Sequence, residues 1–240
     1  MNLKNKRLLS VLLFLLGVTV GILFNAGVVW AQFEASLWDE SPTDDKSLHG
    51  FYCPLIITSS ETGQVRIDYK NTLDRPINPV IRTRITKGLV LLQREESERP
   101  DILPGETAHL KYSVSASDAA WGRFILVRVY AFPQYSLPSR SGSCGILVLK
   151  LPLVNGTVVI ILALIFSVGG MGSGIWMWNK VKFPQNERSY NAYRAMIFLA
   201  AIILFGLTLE LLNIWGLATA VLLFTFIMMA GVIGYFLASS

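Results

Sequence analysis

Three stretches in the last third of the chain, 157–178, 195–209 and 216–240, carry no charge, and a single Glu210 follows the second. Each is about long enough to cross the hydrocarbon core of a bilayer as a helix. The sequence therefore describes an integral membrane protein, with spans expected at 157–178, 195–212 and 217–237 inside a membrane region covering 151–240. A fourth apolar run, 8–30, lies behind a basic N-terminus. Between it and the other three sits a polar block patterned in strands.

A pI of about 9.3 invites a search for a nucleic-acid surface, but the excess charge is not on that block. Residues 32–150 hold fourteen Lys or Arg and fourteen Asp or Glu. The surplus lies beside the apolar runs, in Lys4, Lys6 and Arg7 and in Lys180, Lys182, Arg188 and Arg194. Nucleic acid is thereby set aside as a partner, and the lipid bilayer takes its place. Short loops rich in Lys and Arg stay cytoplasmic. The N-terminus, the loop 179–194 and the C-terminus are then expected inside, and the block 32–150 on the exoplasmic side of the cell membrane.

Residues 1–31 read either as a cleaved signal peptide or as a signal-anchor helix. To Trp30 the apolar run has the length of a span; to Phe24 it has that of a signal core, with Val29-Trp30-Ala31 beyond it as a passable cleavage site. Under both readings the block 32–150 is exported. Cys53 and Cys144 are the only cysteines, and in an oxidising compartment a disulfide is the first reading. Two buried thiols, or a metal or redox site, are the alternatives; His49 and His109 form no ligand spacing with them, so neither metal nor cofactor is expected.

After a turn-prone linker, 32–50, short apolar or alternating runs recur between turn residues, the pattern of an all-β sandwich. Seven strands are expected, near 53–58, 65–69, 80–86, 89–93, 108–114, 124–132 and 144–150. Alternation is clearest where Val65, Ile67 and Tyr69 oppose Arg66, Asp68 and Lys70, and where Leu110, Tyr112 and Val114 oppose His109, Lys111 and Ser113. The turn motifs Asn71-Thr72-Leu73 with Pro76, and Leu103-Pro104-Gly105-Glu106, resemble those of small immunoglobulin-like modules in prokaryotic envelope proteins. That resemblance covers 51–150 and implies adhesion, spacing or subunit contact. In such a fold Cys53 and Cys144 would open strands at one end, the end distal to the membrane.

The distal loops are candidates for a partner surface, led by Phe132, Tyr135, Leu137 and Arg140 on a segment stiffened by Pro133 and Pro138. In the apolar runs, Gly17 with Gly21 and Gly170 with Gly174 have the spacing that lets helix backbones approach closely. Ala230 and Gly234 repeat it. Glu210 is an intramembrane acid, read as an interfacial cap, a partner for another subunit's residue, or part of an ion path. Catalytic signatures are absent from the sequence. The expectation is a non-enzymatic envelope protein, an accessory or scaffold subunit that contacts other membrane proteins through its exported β-sandwich. A small transporter or channel component is the alternative.

Overall fold

The computed structural model describes residues 3–38, 46–132, 138–180 and 187–238. Among them run helix α1 (Leu3–Leu37), then strands β1 (Lys46–Ser47), β2 (Phe51–Tyr52), β3 (Ile56–Thr58), β4 (Thr62–Lys70), β5 (Val80–Lys87), β6 (Leu89–Glu98), β7 (Thr107–Ser115), β8 (Phe124–Phe132) and β9 (Arg140–Leu149). Helices α2 (Gly156–Lys180), α3 (Glu187–Leu211) and α4 (Trp215–Ala238) complete the chain. It divides into a sheet unit, Trp30–Val159, and a helical unit, Met1–Val29 with Ile160–Ser240. All four helices are long and apolar enough to cross a membrane.

Two sheets build the first unit: β2-β4-β7, and a larger one ordered β1-β9-β8-β5-β6 in which β3 also pairs with β9. The inward residues are those the alternation predicts. Val65, Ile67 and Tyr69 of β4 and Leu110, Tyr112 and Val114 of β7 meet Ile81 and Ile85 of β5, Ile125, Val127 and Val129 of β8 and Ile146 of β9 in one core. Each such side chain, fully buried, contributes about 1.5–3 kcal/mol of transfer free energy.

Of the first expected strand, 53–58, only Ile56–Thr58 is strand, and a separate short strand, Phe51–Tyr52, precedes it in the other sheet. β2 pairs antiparallel with β4, and after Cys53-Pro54-Leu55 the chain enters β3, which pairs parallel with β9. Strands of two or three residues show no periodicity, which is why the sequence reads as one run. The Cys53–Cys144 disulfide, with Cα atoms 6.5 Å apart, fastens this crossing to β9. Cys144 does not open its strand; β9 begins at Arg140, and the bridge sits part-way along it.

The expected linker 32–50 also differs. α1 continues to Leu37, and its last turns lie on the outer face of the larger sheet. Ala31, Gln32, Ala35 and Trp38 are buried there at helical spacing. The Gln32 amide donates to the Gly145 carbonyl and accepts from the Gly145 N–H, both at 3.2 Å. A side chain at Gly145 would run into the Ala31 carbonyl, so glycine is required. Ala35 and Trp38 pack on Leu126, with Val90 and Phe124 beside them, and the indole N–H donates to the Val90 carbonyl at 3.2 Å. At the other exit, Glu61 Oε1 accepts from the N–H groups of Thr58 (2.8 Å) and Gly156 (2.6 Å), a carboxylate at the start of α2.

In the helical unit α1 and α2 touch through glycine. A Cβ on Gly170 would lie 2.8 Å from the Gly17 Cα, and one on Gly174 would lie 2.7 Å from the Phe14 Cβ. Ser10 Oγ–H donates to the Gly174 carbonyl at 2.7 Å. Gly21 faces Ser167 Oγ and Ile203. A Cβ on Gly234 would meet nothing within 4 Å among the described residues, so no close helix contact is seen at that position of α4. α3 stops in a Schellman turn: the Asn213 N–H reaches the Glu210 carbonyl and the Ile214 N–H the Leu209 carbonyl, both at 2.9 Å. Asn213 takes the left-handed conformation this needs, with φ of 59°. α4 then returns beside α3.

Candidate functional site

Of the four loop residues proposed for partner contact, Tyr135 and Leu137 lie outside the described residues. The other two face opposite ways. Arg140 pairs with Ala131, whose side chain is in the core, so it belongs to the inward side of the sheet, where its charge acts on Tyr69. Burial pushes the Tyr69 phenol above its usual range, and the Arg140 charge partly opposes this. Phe132, one residue beyond Ala131, points outward and is 40% exposed.

Phe132 belongs to a surface that the loop reading missed. β5 places Arg82 and Arg84 on the outer face, and β8 places Arg128, Tyr130 and Phe132 beside them, with Arg82 opposite Tyr130 and Arg84 opposite Arg128. The rings of Tyr130 and Phe132 stack at 5.9 Å with planes 15° apart. Over them lie the guanidinium groups: Arg82 at 5.9 Å from the Phe132 centroid, and Arg84 and Arg128 at 5.8 Å and 5.5 Å from that of Tyr130. Glu95 of β6 bridges Arg82 (3.0 Å) and Arg84 (3.1 Å). Among the described residues of this patch there are three guanidinium groups and the one carboxylate of Glu95.

The signal was present in the sequence as Arg-x-Arg on one strand and Arg-x-Tyr-x-Phe on another, each at the period of two that puts side chains on one face. Guanidinium groups resting near aromatic rings lose little further freedom on binding carboxylate or phosphate oxygens. Arg, Tyr and other aromatics are the residue types enriched at interface hot spots.

Elsewhere the candidates separate. Gly17, Gly170 and Gly174 meet across α1 and α2, and Gly21 lies against Ser167 on the same side. The Glu210 side chain is turned into the helical unit, 1% exposed, and its Oε1 has no hydrogen-bond partner among the described residues. Asn25 Oδ1 and Ser167 Oγ are likewise buried without a partner. Asn25 Nδ2 abuts Gly206, one turn before Glu210 on α3, and Ser167 lies against Gly21, one turn before Asn25 on α1. Three unpaired oxygens thus follow one seam. No cluster of three or more His, Cys, Asp or Glu suited to a metal occurs among the described residues.

No protein family matches the sequence, and no curated protein does. Among solved structures, the chain has a likeness to a Paenibacillus sp. cycloisomaltooligosaccharide glucanotransferase crystallised with cycloisomaltoheptaose, at 15% identity over 45% of this chain and 14% of that one, with a TM-score of 0.35. At that score the likeness carries no argument about fold or activity.

Proposed function

We propose that this protein is a non-catalytic membrane subunit whose sheet unit, carried on the exoplasmic side, holds another protein of a membrane complex through the arginine–aromatic face of its larger sheet. The carrying observation is that Arg82, Arg84, Arg128, Tyr130 and Phe132 share the outer face of paired strands, with Phe132 exposed and Tyr130 buried. Strand-borne groups keep their geometry, and an arginine-rich aromatic face suits an acidic protein segment. Two sheets, β2-β4-β7 and β1-β9-β8-β5-β6 with β3 also on β9, support the reading of an immunoglobulin-like sandwich, a fold that commonly serves subunit contact. The two basic clusters support an inside position for the N-terminus and the loop 179–194. The buried tail of α1 favours a retained anchor over a cleaved signal peptide, since cutting after Ala31 would sever a helix docked on β9.

Affinity purification of the full chain in mild detergent, wild type beside Arg82→Ala/Phe132→Ala, tests the reading. We expect at least a tenfold loss of the co-purifying subunit with an unchanged melting temperature. Undiminished recovery from the variant, or migration of the wild type as a lone monomer, would sink it. A small transporter or channel component is the second reading, favoured by the buried unpaired oxygens of Asn25, Ser167 and Glu210. Transport by the purified chain in proteoliposomes, abolished by Glu210→Gln, would establish that role instead.

A further inference from the structure

The helical unit contains a cavity of about 390 Å³, lined entirely by apolar side chains, among them Phe14, Leu15, Trp178, Met196, Leu199 and Met229. All four helices contribute to its wall. Its size falls within the range of small-molecule sites. An apolar cavity of this kind does not fill with water, which would find no polar partners there; it takes an apolar guest.

One wall has a charged neighbour. The Arg7 guanidinium lies 4.9 Å from the ring centroid of Trp178, so a residue lining the cavity also carries the cation. Arg7 donates to Ser189 Oγ at 3.2 Å. Arg7 precedes the lining residue Val11 by one turn of α1, and Ser189 precedes the lining residue Ala192 by about one turn of α3. Two helices therefore bring the same end of the cavity to the same guanidinium. Lys180, stacked on Trp176 at 4.2 Å, and Arg194, on Tyr190 at 5.6 Å, add positive charge on neighbouring turns.

We propose that this cavity binds one acyl chain of an anionic phospholipid, with the headgroup phosphate at Arg7. A neutral lipid would fill the apolar part equally well, so the guanidinium supplies the selectivity; basic pockets between spanning helices suit anionic headgroups for this reason. Trp178 joins the two parts, with its ring in the wall and its face under the cation.

Native mass spectrometry of the full chain, extracted from nanodiscs of equal phosphatidylglycerol and phosphatidylcholine, tests the proposal. The wild type is expected to retain one phospholipid, phosphatidylglycerol over phosphatidylcholine by at least fivefold. Arg7→Gln should bring that ratio near one while keeping occupancy. Ala195→Phe, which fills the cavity, should lower occupancy about tenfold with helical circular dichroism unchanged; Met229→Trp serves the same purpose from α4 if the first variant does not fold. A wild type that retains no lipid, or several without headgroup preference and insensitive to either filling variant, would mean annular lipid only and overturn it.

Discussion

The sheet unit buries Ile, Val and Tyr and shows water its charges, whereas the helical unit exposes Leu12, Leu23, Ile165 and Phe166 and buries Ser10, Asn25, Ser167, Glu210 and Thr225. One chain has two insides. In water, apolar area drives collapse, and polar groups that go with it must be partnered. In hydrocarbon, Leu and Phe gain little by leaving the surface, so association falls to close backbone packing and to polar groups. Glycine changes meaning accordingly. In the sheet unit Gly50, Gly88, Gly105 and Gly122 supply positive φ at turns, while in the helical unit Gly17, Gly170 and Gly174 supply the absence of a side chain.

The sharpest way to separate the two units is through the disulfide, which acts on one of them alone. Cys53→Ser removes a cross-link over a sequence separation of 91 and should destabilise the sheet unit by about 4 kcal/mol in the chain-entropy picture. Thermal melts followed by near-ultraviolet and helical circular dichroism should show the sheet transition falling while the helical signal stays; a joint fall would mean that the units do not unfold separately. Gly170→Leu reverses the experiment. Overpacking a backbone contact costs about 1–3 kcal/mol, so denaturant resistance in mixed micelles should drop for the helices and not for the sheets. Unchanged helical stability would mean that α1 and α2 do not depend on that contact.

Glu210→Leu carries the opposite sign. Removing a buried carboxyl whose Oε1 has no hydrogen-bond partner among the described residues should stabilise the helical unit by about 1–2 kcal/mol, read as a higher midpoint in the same micelles. A lower midpoint would show that the carboxylate has a partner. The smallest effect is confined to alkali and to the sheets. Burial of Tyr112 pushes its phenol up to about 12 from the ordinary 10, so the folded state needs the neutral ring. The unfolded chain loses that proton first, hence stability is full below pH 10 and declines as pH rises toward 12. Tyr112→Phe should flatten the decline in melts between pH 9 and 11.5, and an unchanged slope would assign it to other groups.

The spans and the core strands were legible because each shows one solvent along its whole length. Alternation in β4 and β7 marks a wet face opposite a dry one, and 22 uncharged residues from 157 to 178 mark no wet face at all. What escaped was mixed. The tail of α1 carries Gln32, Glu34 and Ser36 and reads as a linker, although Ala31, Ala35 and Trp38 hold a helical stripe. The far half of β6, Arg94 to Glu98, is charged on both faces because it is an edge strand, where charge guards against pairing with another chain. The arginine–aromatic face lies on strands, whereas the turn and proline motifs of the sequence point to loops. The orphan oxygens of Asn25 and Ser167 could not be found from sequence, since their burial depends on which helices meet.

Much of the sheet unit's long-range structure converges on β9: it receives β1, β3 and β8, the bridge from Cys53 and the amide of Gln32. It is also the last strand to leave the ribosome, only seven residues ahead of α2. The α1 tail, made early, lacks its partner on β9 until more than a hundred further residues have been synthesised. During that interval a half-built sandwich carries open edges and an unbridged thiol. Newly made chains should therefore be most vulnerable to aggregation or proteolysis just before the second apolar helix emerges, when helpers acting on unfinished chains would matter most.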